Sequence, residues 1–150
     1  MRRAIELAQN GINANAGGPF GAVIVKNGEI IAEGWNQVTS KNDPTAHAEV
    51  VAIRKACEIL DSFQLEDCTI YASCEPCPMC LGAIYWARPE KMFFACTRED
   101  AAKIGFDDKF IYDEIGRPTD ERSINTQNFM REEGLGVFQL WDNKADKTEY

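Results

Sequence analysis

A chain of 150 residues suits one domain, and a domain of that size buries roughly 68–70% of the surface its unfolded chain exposes, so it needs no metal or disulfide merely to fold. An apolar fraction of 45%, with no low-complexity stretch, excludes the disordered and fibrous classes. Sixteen Lys and Arg face 24 Asp and Glu, and the resulting charge of −8, with no basic cluster, argues against a nucleic-acid partner and for a small neutral or cationic ligand.

The start, Met1-Arg2-Arg3 followed by Ala4, Ile5, Leu7, Ala8 and Ile12, is too polar for a signal peptide and predicts an amphipathic helix. No run of eighteen apolar residues occurs, so a cytoplasmic protein without a membrane partner is expected. Gly17-Gly18-Pro19 marks a loop, and residues 20–25 read as a buried strand. Asn27-Gly28 is a two-residue hairpin signal, which pairs that strand antiparallel with residues 29–35. Asp43-Pro44 predicts a helix over about 44–60, with Asp as cap and Pro in the first turn. A short strand at 68–72, a helix starting near Pro78 and a buried strand at 92–95 follow. This alternation implies a right-handed crossover and parallel pairing. The expected fold is α/β: a three-layer α/β/α domain with a central mixed sheet of five strands. Beyond Arg98 the pattern weakens, with a loop at 105–108, a helix expected within 119–131, a short apolar stretch at 137–141 and a polar tail at 143–150.

Six cysteines in a chain of this kind point to metal rather than disulfides. His47-Ala48-Glu49 falls in the first turn of one predicted helix and Pro76-Cys77-Pro78-Met79-Cys80 at the entry to another. A helix N-terminus favours negative charge and so favours the thiolates that zinc binds. His47, Cys77 and Cys80 would supply three ligands to one zinc ion, and three protein ligands leave a fourth position for water, the mark of a catalytic site. Glu49, two residues after the only histidine, is the candidate proton carrier. The competing arrangement adds Cys74 and closes a four-ligand structural site, which would make the chain a zinc-stabilised interaction domain without activity. Cys57, Cys68 and Cys96 read as plain buried thiols.

His-x-Glu followed by Pro-Cys-x-x-Cys is the signature of zinc deaminases. The chain resembles the cytidine deaminase superfamily, and over nearly its full length it is similar to the bacterial guanine deaminases. Residues 17–25, 42–49, 73–88 and 104–108 carry the resemblance. It implies a cytidine deaminase-like fold and zinc-dependent hydrolysis of guanine to xanthine and ammonia, in purine catabolism or salvage. It further implies Asn36 and Asp108 as polar readers of the base, Phe20 as a wall, and a homodimer in which a segment of about 131–150 crosses to the partner and brings Tyr150 to the bound base. Guanosine or another nucleobase or nucleoside is the alternative substrate. A transfer-RNA adenosine deaminase shares the signature but needs basic surface that this chain lacks.

Overall fold

The computed structural model describes residues 1–150, which form two compact units, residues 1–108 and 109–150. The first contains α1 (Arg2–Asn13), β1 (Gly21–Lys26), β2 (Glu29–Trp35), α2 (Val38–Lys41), α3 (Ala48–Leu60), β3 (Cys68–Cys74), α4 (Pro78–Ala87), β4 (Lys91–Cys96) and α5 (Arg98–Lys103). The second contains α6 (Lys109–Ile115), a 3-10 turn at Thr119–Glu121, and α7 (Arg131–Asp142).

The sheet order is β2-β1-β3-β4. β1 runs antiparallel to both neighbours, and β3 and β4 are parallel. Asn27 and Gly28 both have positive φ, 53° and 83°, as the turn between Lys26 and Glu29 requires when its twist must match that of the strands. Alternation along the central strand β1 divides the core. Ala22 and Ile24 pack with Ala32 of β2, Ala48, Ala52 and Ala56 of α3, and Ile84 of α4. Val23 turns the other way, toward Ala4 and Leu7 of α1. The result is three layers, with α1 on one face and α3 and α4 on the other.

Gly34 sets how closely α3 approaches. A Cβ there would stand 2.2 Å from the Ala48 carbonyl oxygen and 2.8 Å from the Ala52 nitrogen, so the helix backbone lies directly on β2. Small residues on α3 complete this contact, since Ala48, Ala52 and Ala56 are all fully buried. The N-terminus of α3 is thereby drawn to the C-terminal end of β2.

Several expectations are corrected. The helix expected from residue 44 starts at Ala48. Asp43 Oδ1 instead accepts from the Thr45 amide at 2.8 Å and the Thr45 hydroxyl at 2.7 Å, closing a local turn before the helix. The sheet has four strands, not five, and residues 137–141 lie inside helix α7. Residues 119–130 hold only the 3-10 turn, and the helix begins at Arg131. β4 is an edge strand with Phe93 and Phe94 exposed, because nothing in the chain pairs with its outer side. Cys96, at its end, is exposed as well, whereas Cys68 is buried and Cys57 half-buried. No helix is long and apolar enough to cross a membrane.

Candidate active site and metal centre

Because β1 is antiparallel to β2 and β3, the start of β1 and the ends of β2 and β3 meet at one end of the sheet. Phe20 precedes β1, Asn36 follows β2, and Glu75-Pro76-Cys77 follows β3. The carboxyl ends of parallel strands are where open α/β sheets place their ligands. Gly21 N–H donates to the buried Ser73 hydroxyl at 2.9 Å, tying the start of β1 to the end of β3 beside the site. The Gln37 amide donates to the Ala46 carbonyl at 2.9 Å and links the end of β2 to the residue before His47.

His47 is the N-cap residue of α3 and Cys77 that of α4, with Cys80 in the first turn of the latter. Two helix N-termini thus converge on one point, and their dipoles both favour negative charge there. The ligand atoms of His47, Cys77 and Cys80 lie within 4.8 Å of one another. His47 Nδ1 is 3.5 Å from Cys77 Sγ and 3.4 Å from Cys80 Sγ. Tetrahedral zinc with ordinary Zn–N and Zn–S bonds requires an N···S edge of about 3.5 Å, so the trio is already spaced for the ion. Nδ1 must then carry the lone pair and Nε2 the proton.

The electrostatics agree. Cys77 is pulled down to about 4 by the hydrogen bond from Cys80 and by His47, against the effect of burial. Cys80 is held far above the usual thiol range, because it gives its S–H to Cys77, is buried and faces the Glu49 carboxylate. Cys77 is thus the more readily ionised sulfur of the pair, and metal binding draws both toward the thiolate. His47 is raised, first by its hydrogen bond with Cys77 and then by the charge of that sulfur, with burial opposing.

Cys74 is not among the clustered ligands. Its Sγ meets the Thr97 carbonyl at 3.5 Å, and burial raises its thiol to about 11. The four-ligand arrangement is therefore not the one formed, and the three-ligand trio stands alone.

Glu49 sits on α3 one residue past its first, and it is only 6% exposed. Its Oε2 is 3.5 Å from Cys80 Sγ. Burial, followed by the negative Cys77, raises its carboxyl, which brings a carboxylic acid toward the range where it can both take and give a proton.

Asn36 is 4% exposed, and its Oδ1 accepts from the Gly18 and Val38 amides, each at 3.2 Å. Its amide therefore does not offer both a donor and an acceptor, as an unconstrained amide would; the oxygen is committed to backbone. Phe20 packs edge-on against Phe106 with ring centroids 4.9 Å apart. Phe106 was not singled out in the sequence, although its place in Gly-Phe-Asp-Asp was the available signal. Asp108 is raised by burial and by the Cys77 charge, which puts it in the electrostatic reach of the metal trio. Tyr150 belongs to the second unit and is exposed.

Residues 1–96 match the family described as the cytidine and deoxycytidylate deaminase zinc-binding region, and this span contains His47, Glu49, Cys77 and Cys80. The guanine deaminase of Bacillus subtilis is 61% identical over 150 residues, covering 100% of this chain and 96% of that one. A crystal structure of guanine deaminase from Bacillus subtilis superposes with a TM-score of 0.97 at 62% identity, covering 99% of this chain and 95% of the other. The tRNA-specific adenosine deaminase of Aquifex aeolicus is 49% identical over 77 residues, about half of each chain (51% and 51%). The likeness to the Aquifex aeolicus enzyme covers half of the chain, while the likeness to the Bacillus subtilis guanine deaminase runs through both units. With the family model matching residues 1–96, the span that holds His47, Glu49, Cys77 and Cys80, and a relative 61% identical along the whole chain, this chain belongs to the cytidine and deoxycytidylate deaminase family.

Proposed function

We propose that the chain is a zinc-dependent aminohydrolase that converts guanine and water to xanthine and ammonia. The observation that carries deamination is Glu49, buried at the edge of a three-ligand zinc centre. Guanine as the substrate rests on full-length likeness to an enzyme of that name.

His47, Cys77 and Cys80 would hold the zinc ion, whose Lewis acidity would make water acidic enough to serve near neutral pH. Glu49 accepts the first proton from the attacking water and passes it to the ring nitrogen next to C2 as that carbon becomes tetrahedral. It then takes the second proton from the new C2 hydroxyl and delivers it to the exocyclic amine, which leaves as ammonia while the C2 carbonyl forms. One carboxylate thus performs both transfers, which its raised proton affinity favours.

Asn36 and Asp108 orient the base in this reading, the amide hydrogens toward ring acceptors and the carboxylate toward ring N–H groups. Phe20 lines the ring face. The whole chain acts as one catalytic domain, in the cytoplasm, in purine catabolism or salvage. A segment of about residues 131–150 crosses to a second copy, bringing Tyr150 over the partner's base. The exposed apolar side chains of α7, Val137, Phe138, Leu140 and Trp141, support such a homodimer, since a contiguous apolar surface on a soluble chain marks a contact.

Ammonia release from zinc-loaded protein given guanine, guanosine, adenine, adenosine, cytosine and cytidine in turn tests the substrate. Guanine is expected to have the highest kcat/KM; preference for a nucleoside would reassign it. Deleting residues 147–150 is expected to raise KM or lower kcat by about tenfold, the effect of losing one well-formed contact of roughly 1.4 kcal/mol. Unchanged kinetics would remove Tyr150 from the site.

A further inference from the structure

Gly17 does not lie in the positive-φ region that favours glycine, so conformational freedom does not explain a glycine there. Space does. A Cβ on Gly17 would stand 2.0 Å from Asn36 Oδ1, 3.0 Å from its Cγ and 2.9 Å from the Asn36 carbonyl oxygen. The side-chain oxygen of Asn36 thus occupies the position of the absent methyl group. It is held there by the Gly18 and Val38 amides, at 3.2 Å each, and the Asn36 backbone N–H is held by the Phe20 carbonyl at 3.0 Å.

We propose that Gly17 is a specificity-determining residue of this enzyme, acting through Asn36: its missing side chain lets two backbone amides capture the Asn36 oxygen, so that the amide can present only its NH2 hydrogens to the base. The inference rests on the purine deaminase reading, and it sharpens how the base is read. Free amides interconvert donor and acceptor by a half-turn about one bond. Here such a turn would place NH2 against two backbone N–H groups, an arrangement of donors facing donors. The site therefore selects a ring acceptor at this position and rejects a ring donor. Rejection of this kind is strong because a mismatched buried group is left without a partner.

The experiment compares Gly17→Ala, Asn36→Ala, the double variant and Asn36→Asp, each zinc-loaded, by kcat/KM for guanine, zinc content and Tm. Gly17→Ala is expected to retain zinc and to lose at least about tenfold in kcat/KM, the scale of one hydrogen bond to substrate. The double variant should lose little beyond Asn36→Ala, because the 2.0 Å overlap with the amide oxygen is gone and only the milder 2.9 Å approach to the Asn36 backbone carbonyl remains. Asn36→Asp keeps the oxygen that Gly18 and Val38 bind but lacks the NH2, so it should keep its Tm while losing activity. Activity within threefold of wild type in Gly17→Ala or Asn36→Asp, or losses that multiply in the double variant, would overturn the proposal. Should wild type release no ammonia from guanine, the purine reading falls, and the capture is then read from Tm alone. Gly17→Ala lowering Tm more in the native background than in the Asn36→Ala background supports it, since only the backbone contact at 2.9 Å survives there; equal lowering in both refutes it.

Discussion

Replacing Glu49 by Gln is expected to leave one zinc per chain and to lower kcat by about 10³-fold or more. A positioned acid–base group contributes roughly 10²–10⁴-fold, and here one carboxylate serves two successive transfers, so the upper part of that range applies. Gln matches the shape of Glu and fits the same buried place on α3, while His47, Cys77 and Cys80 are untouched. Metal analysis and single-turnover kinetics on the same sample separate the two roles. Wild-type turnover in a fully zinc-loaded variant would exclude Glu49 from the chemistry.

Cys80→Ser is expected to fail in the opposite way, losing the metal first and activity with it. Cys80 is wholly buried, and its sulfur stands 3.4 Å from the histidine nitrogen and 3.5 Å from the glutamate. A serine hydroxyl does not ionise there, so the ion is left with one imidazole and one thiolate. Zinc content should fall below about a tenth of an equivalent after dialysis, with ammonia release lost. Tm should fall too, because a ligand present at a thousand times its Kd stabilises the folded state by about 4 kcal/mol. Cys74→Ser is the contrast: its sulfur faces the Thr97 carbonyl, and that variant should keep its zinc. Equal metal loss in both would restore the four-ligand arrangement.

The chemistry was more legible in the sequence than the ends of the elements that hold it. His47, Cys77 and Cys80 could be read as a trio because their spacing from helix starts is local information and the chain has only one histidine. The exact start of α3 was not legible, because Asp43 serves equally well as a helix cap or a turn former, and its bond to Thr45 selected the turn. The commitment of the Asn36 oxygen was hidden for a different reason: it depends on Gly18, eighteen positions away, and no local pattern records it. Helix α5 opens with a capping box, Thr97 and Asp100 exchanging bonds at 3.3 and 3.1 Å, a signal present in the sequence but left unassigned where the pattern weakens beyond Arg98. The burial of β4 was overestimated because Met92-Phe93-Phe94-Ala95 is apolar enough for an interior strand. Apolar content cannot distinguish a strand covered within its own chain from one left at a sheet edge.

The Asn27-Gly28 turn bears on how the protein can be handled. His47, Cys77, Cys80 and Glu49 are gathered near where β1 begins and β2 and β3 end, so the hairpin joining Lys26 to Glu29 lies at the opposite end of the sheet. A Cβ on Gly28 would meet no atom within 4 Å, and exposed polar turns of this sort accept inserted sequence readily. A fluorophore or affinity tag placed there would report on the protein from a distance of about 20 Å, the six residues of β1 at roughly 3.4 Å each, without reaching the metal or the base.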